Sequence, residues 1–182
     1  MTLGLGSRIR LATPDDARAI ASIQIDGWRT AYRGVVPDTI LDGFQLDPRS
    51  DRWAAIIETS VADGTGVWVV TADEEAGPVL GFAMAGPGRD ESAPPPDGAG
   101  EVYAIYVDPA AIGQGHGRAL FGHAVAGLGA RGFDPIVVWV LEANPRGRHF
   151  YEAAGFLADG ARNTIDFDGT PVDEIRYRFE RG

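Results

Sequence analysis

Residues 101–120, EVYAIYVDPAAIGQGHGRAL, decide how this chain is built. Glu101 to Val107 is dominated by β-branched and aromatic residues and reads as a strand. Gly113, Gly115 and Gly117 then fall at alternate positions. Behind them Leu120, Phe121, Val125 and Leu128 recur at the three-to-four spacing of a helix with one buried stripe, so Gly113 to Arg131 is a glycine turn running into a helix. Ile136 to Leu141, IVVWVL, is apolar at every position, the pattern of a strand covered on both faces. Together these segments form one β-loop-helix-β unit. The turn carries chemistry of its own. Closely spaced glycines let backbone N–H groups turn inward without Cβ clashes, at the positive end of a helix dipole, which holds a pyrophosphate without Lys. The same pattern also serves a tight turn with close helix packing.

Composition sets the outer bounds. The 182 residues are 45% hydrophobic, enough for a single domain spanning 1–182 with a sizeable core. There is no Cys, which excludes a disulfide framework, a thiolate metal site and a cysteine nucleophile. All 16 basic residues are Arg, so a Walker-type phosphate loop and a protein Schiff base are excluded too. The net charge of −10, with no basic run, argues against a nucleic-acid partner and favours cationic ligands. The longest apolar stretch, Pro135 to Leu141, is too short to cross a bilayer, and residues 1–8 lack the pattern of a secretion signal. A soluble, cytoplasmic protein without a membrane partner is expected.

Upstream, Thr13-Pro14-Asp15-Asp16 reads as a helix start, and Ile20, Ile23, Gly27 and Ala31 continue a buried stripe beside Trp28 and Tyr32. Gly34 breaks it. Pro37 opens a short helical stretch, and Pro48 opens another carrying Trp53, Ile56 and Ile57. Val67 to Thr71 and Val79 to Ala85 are strands joined by a turn, and residues 86–99 are read as a flexible loop. After the crossover unit, Asn144-Pro145 starts a helix through Ala154 that Gly155 stops, and strands at Phe156 to Ala161 and Glu174 to Phe179 flank the turn at Asp168-Gly169. The three histidines, His116, His123 and His149, have no metal-binding spacing, so no metal site is expected and each reads as a surface or capping residue.

Two stretches then coincide with a known family. VDPAAIGQGHGRAL resembles the cofactor signature of the GNAT superfamily of acyl-CoA-dependent N-acetyltransferases, and Asn144-Pro145 followed by FYEAAGF resembles its second motif. WRTAYRGVVPD, Trp28 to Asp38, is similar to the acceptor-side helix pair of many bacterial members, so the likeness covers about residues 8–180. It departs at Ile112, where the family usually has Arg or Gln. That change removes a polar side chain near the phosphates but leaves the backbone donors.

The resemblance implies an α/β (α+β) fold: a central mixed, twisted sheet with helices on both faces and acetyl-CoA, as co-substrate, held where two parallel strands splay apart. It implies that Ile105 and Val107 pair with pantetheine through their backbones, that Gly113, Gln114, Gly115, His116, Gly117 and Arg118 hold the pyrophosphate, and that Asn144 bonds the pantetheine or acyl end. An amine is an ammonium near neutral pH and must lose a proton before it attacks a thioester. Glu101 matches the family's frequent base, with Asp108 and the acidic residues of the 86–99 loop as competitors. Tyr151 matches its acid for the leaving thiolate, Tyr103 and Tyr106 line the tunnel, and Arg146 and Arg148 have two readings, solvated surface or a contact to a CoA phosphate. Trp28, Tyr32 and Trp53 have two readings, an aromatic acceptor pocket or, as for most aromatics at helical spacing, core. The expected activity is acetyl transfer to a primary amine of a small molecule or peptide, with a homodimer as the assembly that family analogy offers. The rivals are a non-catalytic acyl-CoA sensor on the same fold and a dinucleotide oxidoreductase, which the absence of full G-x-G-x-x-G spacing disfavours.

Overall fold

A computed structural model describes residues 7–72, 77–89 and 98–180. Seven strands form one sheet: β1 (Ser7–Leu11), β2 (Gly66–Ala72), β3 (Val79–Pro87), β4 (Gly100–Val107), β5 (Ile136–Leu141), β6 (Leu157–Phe167) and β7 (Thr170–Phe179). Their order is β1-β2-β3-β4-β5-β7-β6, and of these neighbours only β4 and β5 run parallel. Among the described residues five α-helices accompany them: α1 (Ala17–Ala31), α2 (Asp38–Asp42), α3 (Leu46–Ser60), α4 (His116–Ala130) and α5 (Pro145–Ala153). A parallel pair needs a crossover, and α4 supplies it.

The two faces of the sheet are covered by different helices. On one, Ile20 and Ile23 of α1 and Trp53 and Ile57 of α3 pack on Val67, Val69 and Phe82. On the other, Leu120, Phe121 and Leu128 of α4 and Tyr151 of α5 pack on Val102, Val138, Ile175 and Tyr177. The apolar reading of β5 follows from this sandwich, since every residue but Trp139 is buried.

Several boundaries differ from the sequence reading. β1 has no counterpart in it, because SRIRL alternates too briefly to announce a strand. β6 and β7 are longer than expected and meet at a two-residue turn, Asp168-Gly169. The expected loop 86–99 begins as strand, β3 reaching Pro87, and its residues 90–97 lie outside those described, as do residues 73–76 of the turn before β3. Thr13 opens a short 3-10 turn rather than α1 itself. His116 is not a surface residue but is buried at the start of α4.

Asp16 fixes this entry to α1. Its carboxylate accepts from both Arg10 Nη atoms, at 2.6 and 2.8 Å, and from the Thr13 backbone N–H at 2.8 Å. Burial pushes its pKa up, but the hydrogen bonds from Arg10 and Thr13 outweigh that and leave it below the ordinary value. A carboxylate more acidic folded than unfolded stabilises above its unfolded value of about 4 and loses that contribution as pH falls through the folded value. Asp16→Ala should therefore cost about 1–3 kcal/mol at pH 7. The gap to wild type should close by the acid end of a urea-unfolding series; an equal gap at every pH would contradict this role for the charge.

Candidate active site at the strand splay

β4 and β5 pair only at Gly100↔Ile136, Glu101↔Val137 and Val102↔Val138. Beyond Val138, β5 stays with β7 as far as Leu141↔Glu174, while β4 stays with β3 up to Val107↔Gly81. The divergence starts at a bulge. Ala85 pairs with Val102 and Met84 with Ala104, so Tyr103 is an extra residue on β4 and bends the strand away from β5. The result is a wedge in the middle of a sheet. On its two sides, Tyr103–Val107 and Trp139–Leu141 present backbone edges that no third strand joins among the described residues. Backbone donors and acceptors at such a depth call for an extended partner. Ile105 and Val107 lie on this edge.

The glycine turn stands at the wide end of the wedge. Asp108 follows β4 and its carboxylate accepts from Ala110 N–H at 2.8 Å, capping a 3-10 turn at Pro109–Ala111, so this residue is occupied as a cap. Gly113 and Gly115 both have left-handed φ, +88° and +89°, and a Cβ on either would meet no described atom within 4 Å. The space in front of the loop is open. Gly115 caps α4, whose first-turn N–H groups on His116, Gly117 and Arg118 have no intrahelical acceptor. Gly117 differs: a Cβ there would touch Val107 and Phe150 rather than face the open side. His116 is buried, and neither ring nitrogen has a hydrogen-bond partner among the described residues. Ile112 and Gln114 are exposed. An open cradle of N–H donors on a helix N-terminus fits a pyrophosphate.

A set of phenols lies where the wedge opens. Tyr151 is buried among Phe121, Phe150 and Tyr177. Burial first, and the nearby Tyr32 second, push its phenol well above the ordinary value, so it keeps its proton. Tyr106 is raised by burial and then by Tyr32 and Tyr151. Tyr32 is raised by burial and by the charge of Glu174, against a lowering contact with Asn144. Tyr32, Tyr106 and Tyr151 therefore share one site, although they come from the end of α1, from β4 and from α5. α1 comes close to Tyr106 because residue 27 is Gly; a Cβ there would lie 2.7 Å from the Tyr106 ring.

Asn144 caps α5, its Oδ1 accepting from Gly147 N–H at 2.9 Å, and its Nδ2 reaches Tyr32 Oη at 3.5 Å. Trp28 and Tyr32 are half-buried and pack over Val36, Leu41 and Leu141 beside the wedge. Trp53 is core, its indole N–H donating to Gln24 at 3.0 Å. Arg148 turns to Tyr177 Oη and the Glu142 carbonyl rather than to the glycine turn.

Glu101 sits in the closed part of the wedge, on the strand register before the bulge. It is buried, not solvated: Arg89 N–H donates to Oε2 at 2.9 Å, and the Arg89 guanidinium lies 3.5 Å from Oε1 and over the Tyr103 ring. Tyr103 donates to the Pro87 carbonyl and lines a cavity of about 380 Å³ with Met84, Asp63 and Arg89. Arg89 and Glu174 are additions to the sequence reading. Neither belongs to a motif, and their positions depend on how β3 meets β4 and how β5 meets β7.

Among the described residues no helix is long and apolar enough to cross a membrane, and no group of His, Asp or Glu is placed to hold a metal ion. The acetyltransferase (GNAT) family model matches residues 28–156. An uncharacterized N-acetyltransferase of Bacillus subtilis, YuaI, is 36% identical over 138 residues, covering 75% of this chain and 73% of its own. The structure of yncA from Salmonella typhimurium with its cofactor acetyl-CoA is 25% identical and superposes with a TM-score of 0.70 over 96% of this chain and 93% of that one. The PaiA N-acetyltransferase of Thermoplasma acidophilum, in complex with coenzyme A, has a TM-score of 0.74 at 16% identity, over 96% of this chain and 100% of that one. A sheet split between β4 and β5, a glycine cradle at the mouth of the split and these likenesses agree: the chain belongs to the GNAT acetyltransferase family.

Proposed function

We propose that this protein transfers the acetyl group of acetyl-CoA to a primary amine of a small molecule or peptide by direct attack within the wedge. The observation that carries this reading is the splay after Val102↔Val138, with its unpaired backbone edge leading from the bulge to the glycine cradle. The N–H groups from Gly113 to Arg118 hold the pyrophosphate, and Ile105 and Val107 pair with the pantetheine. Asn144, whose amide is already anchored by Gly147, offers its Nδ2 toward the acyl end.

The chemistry removes two protons from the acceptor nitrogen, one before and one after attack, and supplies one to the departing sulfur. Glu101 takes the ammonium proton, directly or through water, once Arg89 releases it. The amine lone pair attacks the thioester carbon, the nitrogen of the tetrahedral intermediate gives its second proton to solvent, and the C–S bond breaks as that intermediate collapses to the amide. Tyr151 gives its proton to the departing thiolate and regains one from solvent. Burial suits Tyr151 to this, because the same apolar surroundings raise both phenol and thiolate and keep the two matched.

The grip of Arg89 on Glu101 favours a second reading, a module that binds acyl-CoA without turning it over. One assay separates them: thiol release from acetyl-CoA across a panel of amines, peptides and aminoglycosides. Release that depends on one class of amine supports transfer. Tight acetyl-CoA binding with no release on any acceptor would replace transfer with the binding module.

A further inference from the structure

We propose that Arg89 receives the carboxylate of the acceptor, which makes the acceptor a free α-amino acid; this rests on the acetyl-transfer reading above, with Glu101 as its base. The starting point is a pair of opposite charges with unequal access. The Arg89 side chain is 56% exposed and that of Glu101 9%, so a ligand arriving from solvent meets the guanidinium first. Glu101 is secured by the Arg89 backbone N–H at 2.9 Å, whereas the guanidinium stands 3.5 Å from Oε1, longer than a charge-assisted hydrogen bond of about 2.8 Å. What fixes the guanidinium is the Tyr103 ring, whose centroid lies 3.3 Å from its carbon, and the Tyr103 hydroxyl is in turn tied to the Pro87 carbonyl. A planar cation laid on an aromatic face, with its N–H fork not closed on a carboxylate, can take one from a ligand.

There is room for that ligand. Arg89 and Tyr103 line a cavity of about 380 Å³ together with Ile56, Met84 and Asp63. That volume lies within the range of small-molecule sites, about 300–1,000 Å³. The cavity is on the α3 face of the sheet, where Met84 packs with Trp53 and Ile57, whereas Val102 packs under α4. Glu101, next to Val102 in β4, therefore points to the α3 face as well. It stands one residue before Val102↔Val138, the last pair before the strands part. The acceptor thus reaches the closed end of the wedge from the α3 side, while the cradle at the start of α4 serves the wide end. Charge order selects the class. In an α-amino acid one carbon separates ammonium from carboxylate, a spacing that lets one molecule meet a guanidinium and a carboxylate 3.5 Å apart. Its carboxylate draws Arg89 off Glu101, and its ammonium is left beside the group that deprotonates it. Asp63 repels a carboxylate, which leaves the Arg89 end of the cavity to accept it. A simple amine meets half of this arrangement, and a peptide has no free carboxylate next to its amine.

Calorimetric titration of the CoA-loaded protein with the common L-amino acids and with their carboxamides tests this. Wild type should bind at least one amino acid about tenfold or more tightly than its carboxamide, the scale of one charge-assisted contact. Arg89→Gln should lose that preference while keeping its affinity for CoA, and Arg89→Lys, which keeps the charge without the fork, should retain part of it. In turnover Arg89→Gln should raise the amino-acid KM about tenfold or more and leave the carboxamide KM unchanged, a split that a merely structural Arg89–Glu101 pair does not produce. Binding of no amino acid, equal affinity for acid and amide in wild type, a preference that survives in Arg89→Gln, or loss of CoA binding in that variant would overturn the assignment. A preference that Arg89→Gln abolishes, in a protein that releases no thiol from acetyl-CoA, would leave the amino-acid site standing and defeat the transfer reading instead.

Discussion

Replacing Tyr151 by Phe is expected to leave acetyl-CoA affinity unchanged and to slow acetyl transfer by about 100-fold or more, the range for loss of a positioned proton donor. The ring is enclosed by Phe121, Phe150 and Tyr177, so the variant keeps the packing and loses only the hydroxyl. Because burial raises the phenol, wild-type kcat should show no alkaline limb from this group below about pH 10. An unchanged rate at saturating substrates would remove Tyr151 from the chemistry. A fall in CoA affinity with an unchanged kcat would make it a binding residue.

Gly115→Val should abolish acetyl-CoA binding in a chain that still folds. Gly115 has φ +89° and caps α4, a conformation that costs a β-branched residue about 1–3 kcal/mol, and its Cβ would project into the open space before the cradle. Strain alone predicts a loss of about 5- to 150-fold, and the intruding side chain adds to it. The comparison is Gly117→Val, whose side chain would press on Val107 and Phe150 instead and should lower stability more than it lowers affinity. Undiminished CoA affinity of folded Gly115→Val, measured by calorimetry, would contradict the cradle.

The contrast between these glycines shows where the sequence stops being informative. Alternating glycines before an apolar helical stripe announce a strand-turn-helix, and that local message holds for β4, the turn and α4. Which glycine faces the open side depends on φ at 113 and 115 and on Val107 across the turn, and spacing carries neither. The uniform apolarity of β5 likewise signals a strand between two helical layers, whereas the bulge at Tyr103 that opens the wedge follows from the pairing of β3 with β4. β1 and the full length of β6 are illegible for another reason: edge strands with one covered face are short or polar, as in LADGARNTIDF, and lack a strong alternation.

The site divides in the same way. Asn144 and Tyr151 stand in one motif, the first as the cap of α5 and the second within it, so their placement relative to each other is set locally, whereas Tyr32, Phe121 and Tyr177 reach them through the fold. Glu101 reads from sequence as a solvated strand-end carboxylate beside a loop; it does stand at the start of β4, but Arg89, twelve residues earlier, covers it. His116 is polar by type and reads as exposed, but it is the first residue of α4, directly after the left-handed Gly115, and that turn carries its ring inward. Glu174 is invisible in the sequence because only the β5–β7 register brings it to the mouth of the wedge.

Incubation with acetyl-CoA labelled with ¹³C in its acetyl group, followed by mass spectrometry of an amine panel, tests most directly whether the wedge is a transferase site. The label should appear on the nitrogen of a primary amine, in step with free CoA thiol, and Tyr151→Phe should suppress both. Label that stays on CoA, or that is released only as acetate whatever amine is present, would contradict transfer.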